Sequence, residues 1–276
     1  MDVESNKAKL SNQVEPMTSK IFDLEQQLTN QLAHLKKEFD ISAVKAEFEA
    51  EGSSFRDLIR LRRLTAQQNI PLYLKIGGVE AVRDLKDAFD LGVDGLIAPR
   101  GESPFGAVKF LNAVKSIFFE KKIFKSINIE TRDSVENINK ILEIVKDRID
   151  NITIGRTDLS QSYFDDSIKP DSNFIFDLVE RLSCDIQKNG LTLTVGGSVN
   201  RESIRLLSQL NDKIGDRITS VETRKVILPV NQMLGQKKAF FEALRFEELY
   251  LKFKLECEEF LSRPEKERLA EIKTRI

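Results

Sequence analysis

The sequence predicts an α/β fold, a TIM-type (β/α)8 barrel with extra helices at both ends. Three observations predict it. Short apolar strands alternate with amphipathic helices from about residue 41 to residue 228, the pattern of repeated βα units and so of a parallel sheet. Lys75, Arg100, Glu102, Glu130, Arg156, Asp158, Ser198 and Glu222 all fall at, or one turn beyond, the C-terminal end of a strand. A closed barrel builds its site on that face from several strands, whereas an open doubly wound sheet gathers its polar groups at one switch point. Finally, no GxGxxG follows the first strand and no Walker-type GxxxxGK loop occurs, which removes the usual nucleotide-binding folds.

In chain order, the 276 residues divide into an N-terminal helical extension (1–40), the barrel (41–230) and C-terminal helices (231–276). Residues 1 to about 18 are polar and carry Pro16, which predicts a loose start. From Ile21 to Phe39, residues Ile21, Leu24, Leu28, Leu32 and Leu35 share one helical face. ISAVKAEFEAEG, from Ile41 to Gly52, reads as the first strand. Alternation sets Val44, Ala46 and Phe48 on one face and Lys45, Glu47 and Glu49 on the other. If helices cover the apolar face, the charged one points into a barrel lumen, where its members must pair with one another or with a ligand.

A helix from Phe55 to Gln68 follows, then the strand PLYLKIGG with Lys75 just before Gly77 and Gly78. A helix from Val79 to Leu91 leads to GVDGLIAPRGESP, with a strand from Gly95 to Pro99. INIET (Ile127 to Thr131) and NITIGRTDLSQS (Asn151 to Ser162) are strands flanking a helix marked by Val135, Ile138, Ile141, Leu142 and Val145. Residues 173–189 form a helix, LTLTVGGSVN a strand, Arg201 to Leu210 a helix, and RITSVETRKVIL a strand. That makes seven strands, one short of closure. The eighth is expected near the N-terminus or after Leu228, unless the barrel is incomplete. Lys237 to Ile276 is helical and dense in aromatics, including Phe240, Phe241, Phe246, Tyr250 and Phe253, which predicts docking on the barrel or on another copy in a homo-oligomer.

Composition excludes several classes. Lys plus Arg is 43 against 44 for Asp plus Glu, a net charge of −1, so no nucleic-acid partner is expected. No apolar run reaches the roughly 18 residues of a membrane span, and the N-terminus lacks a signal-peptide core. Two distant cysteines, Cys184 and Cys257, fit free thiols in a cytoplasmic protein. The sole histidine, His34, lies on the first helix away from every strand end, so acid–base chemistry must use other groups.

The βαβ unit ending in Glu130 and Asp158 is the centre of the chemistry. A βαβ crossover makes its strands parallel and puts both acids at one edge of the sheet. Two facing carboxylates suit a hard divalent metal with room left for substrate or water. The bland alternative is that both acids cap the helices that follow.

LKIGG, GVDGLIAPRGESP, INIET and the GRTDLS loop, in that order, resemble successive motifs of the HpcH/HpaI aldolase and citrate lyase β-subunit family, over roughly residues 40–228. The resemblance implies a metal-dependent class II lyase on a phosphoenolpyruvate-binding type of TIM barrel. It implies cleavage of a pyruvate-type 2-oxo acid or related carboxylic acid through an enolate. Glu130 and Asp158 then match the ligands of Mg²⁺ or Mn²⁺. Lys75 stands where the family has a basic residue for the carboxylate or enolate, and Glu102 matches the acidic residue of the family's P-K-x-E-S-P loop, with Arg100 near its lysine. Lys75, Arg100, Glu102 and Ser198 are thus the candidate substrate-binding residues.

The departures matter as much. EAEG puts Glu51 where the family's acid–base histidine falls. Lysine at 75 lacks the bidentate fork of arginine, and Arg156 adds a cation beside the metal loop. The candidate catalytic residues are therefore Lys75, Glu49, Glu51 and Arg156, with Glu49 favoured over Glu51 for proton transfer on strand parity. The competing reading is a barrel that binds an acidic metabolite without aldol turnover.

Overall fold

A computed structural model describes residues 3–119 and 121–276. Helix α1 (Val3–Phe39) precedes β1 (Ala43–Glu47), α2 (Phe55–Gln67), β2 (Leu72–Lys75) and α3 (Val82–Leu91). Then come β3 (Gly95–Ala98), α4 (Pro104–Phe118) and β4 (Phe124–Ile129). Two short helices, α5 (Arg132–Glu136) and α6 (Ile138–Val145), lead to β5 (Asn151–Gly155) and α7 (Arg156–Gln161). The barrel continues with α8 (Asn173–Lys188), β6 (Thr192–Gly196), α9 (Arg201–Ile214), β7 (Ser220–Glu222) and β8 (Val226–Pro229). Helices α10 (Val230–Gly235), α11 (Lys237–Leu261) and α12 (Arg263–Lys273) end the chain. The expected loose start is corrected: α1 already begins at Val3, and in the sequence Leu10, Val14 and Met17 continue the helical spacing of Ile21, Leu24 and Leu28 past Pro16.

The eight strands close into a barrel in sequence order. Strands β1 to β7 run parallel, as the repeated βα units require. The eighth strand lies in none of the expected places. RITSVETRKVIL, read as one strand, folds back on itself, and β8 pairs antiparallel with β7 (Val221↔Leu228) and with β1 (Val44↔Val226). The turn has no glycine, proline or asparagine to announce it. Thr223 supplies the turn chemistry: its N–H donates to the Val226 carbonyl at 2.9 Å and its hydroxyl accepts the Val226 N–H at 3.1 Å.

Strand parity divides the barrel wall. Val44, Ala46, Leu72, Leu74, Ile152 and Ile154 are buried under the helices. The residues between them fill the lumen, where polar side chains stand beside Ile97, Phe124 and Ile227. Its lower layer joins Asn151, Ser126, Thr153 and Thr194 by hydrogen bonds of 2.9–3.2 Å, beside stacked Tyr73 and Phe124 rings 4.4 Å apart. Its upper layer carries the charges. Outside the barrel, α11 packs along α1: Leu28, Leu32 and Leu35 are buried there with Phe246, Tyr250 and Phe253. No helix among the described residues is long and apolar enough to cross a membrane.

Candidate active site

A cavity of about 330 Å³ opens at the C-terminal mouth of the barrel, the face on which sites of this architecture are built. Lys45, Glu47, Lys75, Asn128, Glu130 and Asp158 line it, together with Thr157, Ser198, Glu222 and Arg224. Glu247 and Leu244 of α11 close one side.

Glu130 follows the last residue of β4 and is buried. Its Oε1 accepts the Arg100 N–H at 2.9 Å and its Oε2 accepts Asn128 Nδ2 at 2.8 Å, with Lys75 Nζ 3.4 Å away. The neighbouring strand makes room for it. A Cβ at Gly155 would stand 2.8 Å from Glu130 Oε2, so only glycine lets the carboxylate lie across β5. Asp158 enters from the first turn of α7. Burial and the Glu130 charge push its carboxyl above the ordinary carboxylate range, against the pull of Lys75 and Arg100.

Neither acid caps a helix. Thr131 caps α5, its hydroxyl accepting the Ser134 N–H, and Gly155 stands at the N-cap of α7. The donor set fits a hard divalent cation. Two carboxylates converge on the cavity, and the buried Asn128 Oδ1 has no hydrogen-bond partner among the described residues. Those residues hold no group of three or more acid, histidine or cysteine donors, so the other coordination positions would fall to substrate or water.

The other expected site residues divide. Lys75 is buried in the cavity wall, between Glu130 and Glu49 at 3.4 and 3.7 Å. Glu49, past the end of β1, and Arg100, past the end of β3, do not line the cavity: their side chains pair with each other beside it, and Arg100 is half exposed. Ser198 lines the cavity, its hydroxyl 2.8 Å from that of Thr157. Glu102 is exposed; its N–H donates to the Arg100 carbonyl at 2.8 Å and its own carbonyl accepts Asn137 Nδ2 at 3.1 Å. It does not line the cavity, because the chain turns outward after Arg100 toward Ser103, the cap of α4.

Glu51 is also outside the cavity. Its carboxylate is held by Lys225, whose ammonium lies 4.6 Å above the Tyr250 ring. Burial drives the Lys225 pKa down, against the opposing pull of Glu51.

Arg156 is the main correction. It does not stand as a cation beside the metal loop. Its side chain is 0 % exposed and turned away from the cavity. The guanidinium donates to the carbonyls of Gly196, Pro170 and Gly197 at 3.2, 3.1 and 2.8 Å and pairs with Asp171, while lying 5.4 Å above the Phe176 ring. Burial lowers its pKa, and Asp171 works against that. Arg156 therefore ties the α7–α8 connection to the Gly196–Gly197 turn.

Several lining residues were missed as candidates, among them Lys45, Asn128, Glu222, Glu47 and Glu247. Glu47 sits on the charged face that alternation assigns to β1, so its signal was in the sequence. Glu247 reaches the mouth from α11, where local pattern shows only a packing helix. Burial pushes its carboxyl up, opposed by Arg224 and Lys225.

Fold and mouth together define a class: a TIM-type barrel with an acidic, lysine-bearing site at the strand ends. Solved structures that share this fold include HpcH/HpaI aldolase and citrate lyase family proteins. The chain is similar to such a protein from Burkholderia cenocepacia J2315, with TM-score 0.56 and 14% identity over 80% of this chain and 90% of that one. It is similar to HpcH/HpaI aldolase from Desulfitobacterium hafniense DCB-2, with TM-score 0.51 and 15% identity over 60% and 72% of the two chains. It is also similar to RipC from Yersinia pestis, with TM-score 0.51 and 15% identity over 71% and 87% of the two chains. At these identities the likeness establishes the fold. No protein-family model and no curated protein matches the chain.

Proposed function

We propose that the protein is a metal-dependent carbon–carbon lyase of the aldolase or citrate lyase kind, acting on a pyruvate-type 2-oxo acid or related carboxylic acid. The convergence of Glu130 and Asp158, from consecutive strand ends, on one cavity with Lys75 carries this reading. Mg²⁺ or Mn²⁺ held by Glu130 and Asp158 would supply Lewis acidity at the substrate oxygens. The remaining work belongs to the chain. The Lys75 ammonium meets the negative charge that develops on the substrate oxygen as the carbon–carbon bond breaks. Glu49, 3.7 Å from Lys75 and paired with Arg100, takes or returns the proton. Arg100 holds Glu49 by its side chain and Glu130 by its backbone N–H. Ser198 and Thr157 offer hydroxyls to the substrate, and Leu244 keeps water from one side.

A specific observation favours a second reading, binding without turnover. The only histidine, His34, lies on α1 against Phe39, and Glu47, Glu49, Glu130 and Glu222 are each in an ion pair. Exchange of the pyruvate methyl hydrogens for deuterium in D₂O, followed by proton NMR with Mg²⁺ or Mn²⁺, separates the two. The lyase reading expects exchange in the wild type and none in Glu130→Gln. Pyruvate that stabilises the fold without exchanging would overturn it in favour of binding. A cytoplasmic location is proposed from the free thiols of Cys184 and Cys257. A homo-oligomer is proposed from Leu251 and Leu255, which α11 leaves exposed.

A further inference from the structure

The β7 side of the cavity differs chemically from the side that holds Glu130 and Asp158. Glu222 leans across Gly196, where a Cβ would stand 2.5 Å from its Cγ. Its two oxygens have unlike surroundings. Oε1 accepts the Lys45 ammonium at 2.7 Å, whereas Oε2 is buried without a hydrogen-bond partner among the described residues. The Glu222 side chain is 6 % exposed, so this anionic oxygen is out of water and lacks a donor, a costly arrangement.

Glu47, equally buried and on the same side, has the Arg224 guanidinium 3.9 Å away. That group is half exposed and gives little to a buried charge. Three carboxylates, Glu222, Glu47 and Glu51, therefore share two buried ammoniums, Lys45 and Lys225, which leaves one negative charge without a buried partner. Burial works to lower the Lys45 pKa, yet Glu222, Glu47 and Glu51 together hold it above its ordinary value. A divalent ion does not answer this arrangement, because the Lys45 ammonium already on Oε1 of Glu222 would repel a double positive charge at Oε2. A further monovalent cation that carries N–H donors does.

We propose that Glu222 Oε2, with Glu47 beside it, receives the protonated primary amino group of the ligand, so that the cavity takes an amino-bearing carboxylic acid. The acid end lies toward Glu130, Asp158 and Lys75, and the ammonium end against β7. The orientation rests on the metal-site reading above; the amine pole rests on different residues.

Titration calorimetry in saturating Mg²⁺ with 5-aminopentanoate, 5-hydroxypentanoate and hexanoate tests the amine pole, with thermal midpoints in pentylamine as the arm that needs no carboxylate. The wild type binds 5-aminopentanoate about tenfold or more tighter than the other two acids, the effect of one charge-assisted hydrogen bond. Glu222→Gln erases that advantage and the pentylamine stabilisation. Gly196→Ala does the same by displacing the carboxylate while keeping its charge, which covers the case in which Glu222→Gln fails to fold. Equal or undetectable binding of the three acids overturns the proposal, as does an amine preference that survives both variants. A midpoint raised by Mg²⁺ alone with no amine preference sinks only the amine pole. A preference for amine without any Mg²⁺ response sinks only the metal reading.

Discussion

Replacing Arg156 with methionine keeps the apolar stem against Phe176 but removes every donor from a fully buried guanidinium. Three carbonyls, those of Gly196, Pro170 and Gly197, lose their partner, and Asp171 loses its cation. Breaking a buried pair from one side costs about 3–5 kcal/mol. Asp171 keeps Ser203 Oγ and Asn200 Nδ2, each at 2.8 Å, so the lower end, about 3 kcal/mol, is expected. For a chain of this size that lowers the thermal midpoint by roughly 6–12 °C. Burial tends to raise the Asp171 carboxyl, but hydrogen bonds from Ser203, Asn200 and Arg156 win and hold it below the ordinary range. Its contribution is therefore present above the ordinary carboxylate pKa and lost as pH falls through the lowered folded value. The gap between wild type and Arg156→Met should narrow on acidification through that range. Thermal melts followed by circular dichroism at neutral and acid pH give the comparison. A variant with an unchanged midpoint but no response to Mg²⁺ would refute this, and would return Arg156 to the metal site.

Four further outcomes follow from the same geometry. Glu49→Gln should cut turnover of a cleaved 2-oxo acid by roughly a hundredfold with the Mg²⁺ response intact; full activity would move the proton transfer elsewhere. Glu51→Gln should lower the midpoint, because Lys225 is left buried without its partner, and should leave the ligand affinity of the cavity unchanged by calorimetry. Gly155→Ala should abolish the Mg²⁺-induced rise in midpoint by displacing Glu130, with the circular dichroism spectrum of the barrel retained. Leu251→Glu combined with Leu255→Glu should reduce the size seen by sedimentation to that of one chain, and an unchanged size would place any assembly contact elsewhere.

How much was legible in the sequence depended on the range of the interactions involved. Parity on β1 put Lys45 and Glu47 on the lumen side because period-two alternation is local, and both line the cavity. Glu130 and Asp158 were legible for a similar reason: a βαβ unit fixes where its strands end. The β7–β8 turn was not, since Thr223 builds it with a side-chain hydroxyl instead of a residue that marks turns by composition. A strand end also does not reveal which way the next side chain turns. Arg156 starts α7 and points under the neighbouring turn, while Asp158, two residues later, meets the cavity. Glu51 was misplaced by a partner, Lys225, that lies 174 positions along the chain, beyond the reach of any local pattern.

The metal site is tested most directly by thermal midpoints of the wild type, Glu130→Gln and Asp158→Asn across a titration of Mg²⁺ or Mn²⁺. A cation bound only to the folded wild type stabilises it by mass action, by about 2.7 kcal/mol at a hundredfold excess over Kd. Both variants should stay flat. Asp158 has a raised carboxyl, so its ionised form costs stability at neutral pH, and that cost disappears as pH falls through the raised folded value. Asp158→Asn should therefore start above the metal-free wild type at neutral pH, with the difference closing on acidification. A wild type indifferent to both ions, or an Asp158→Asn variant that still responds to them, would contradict the account.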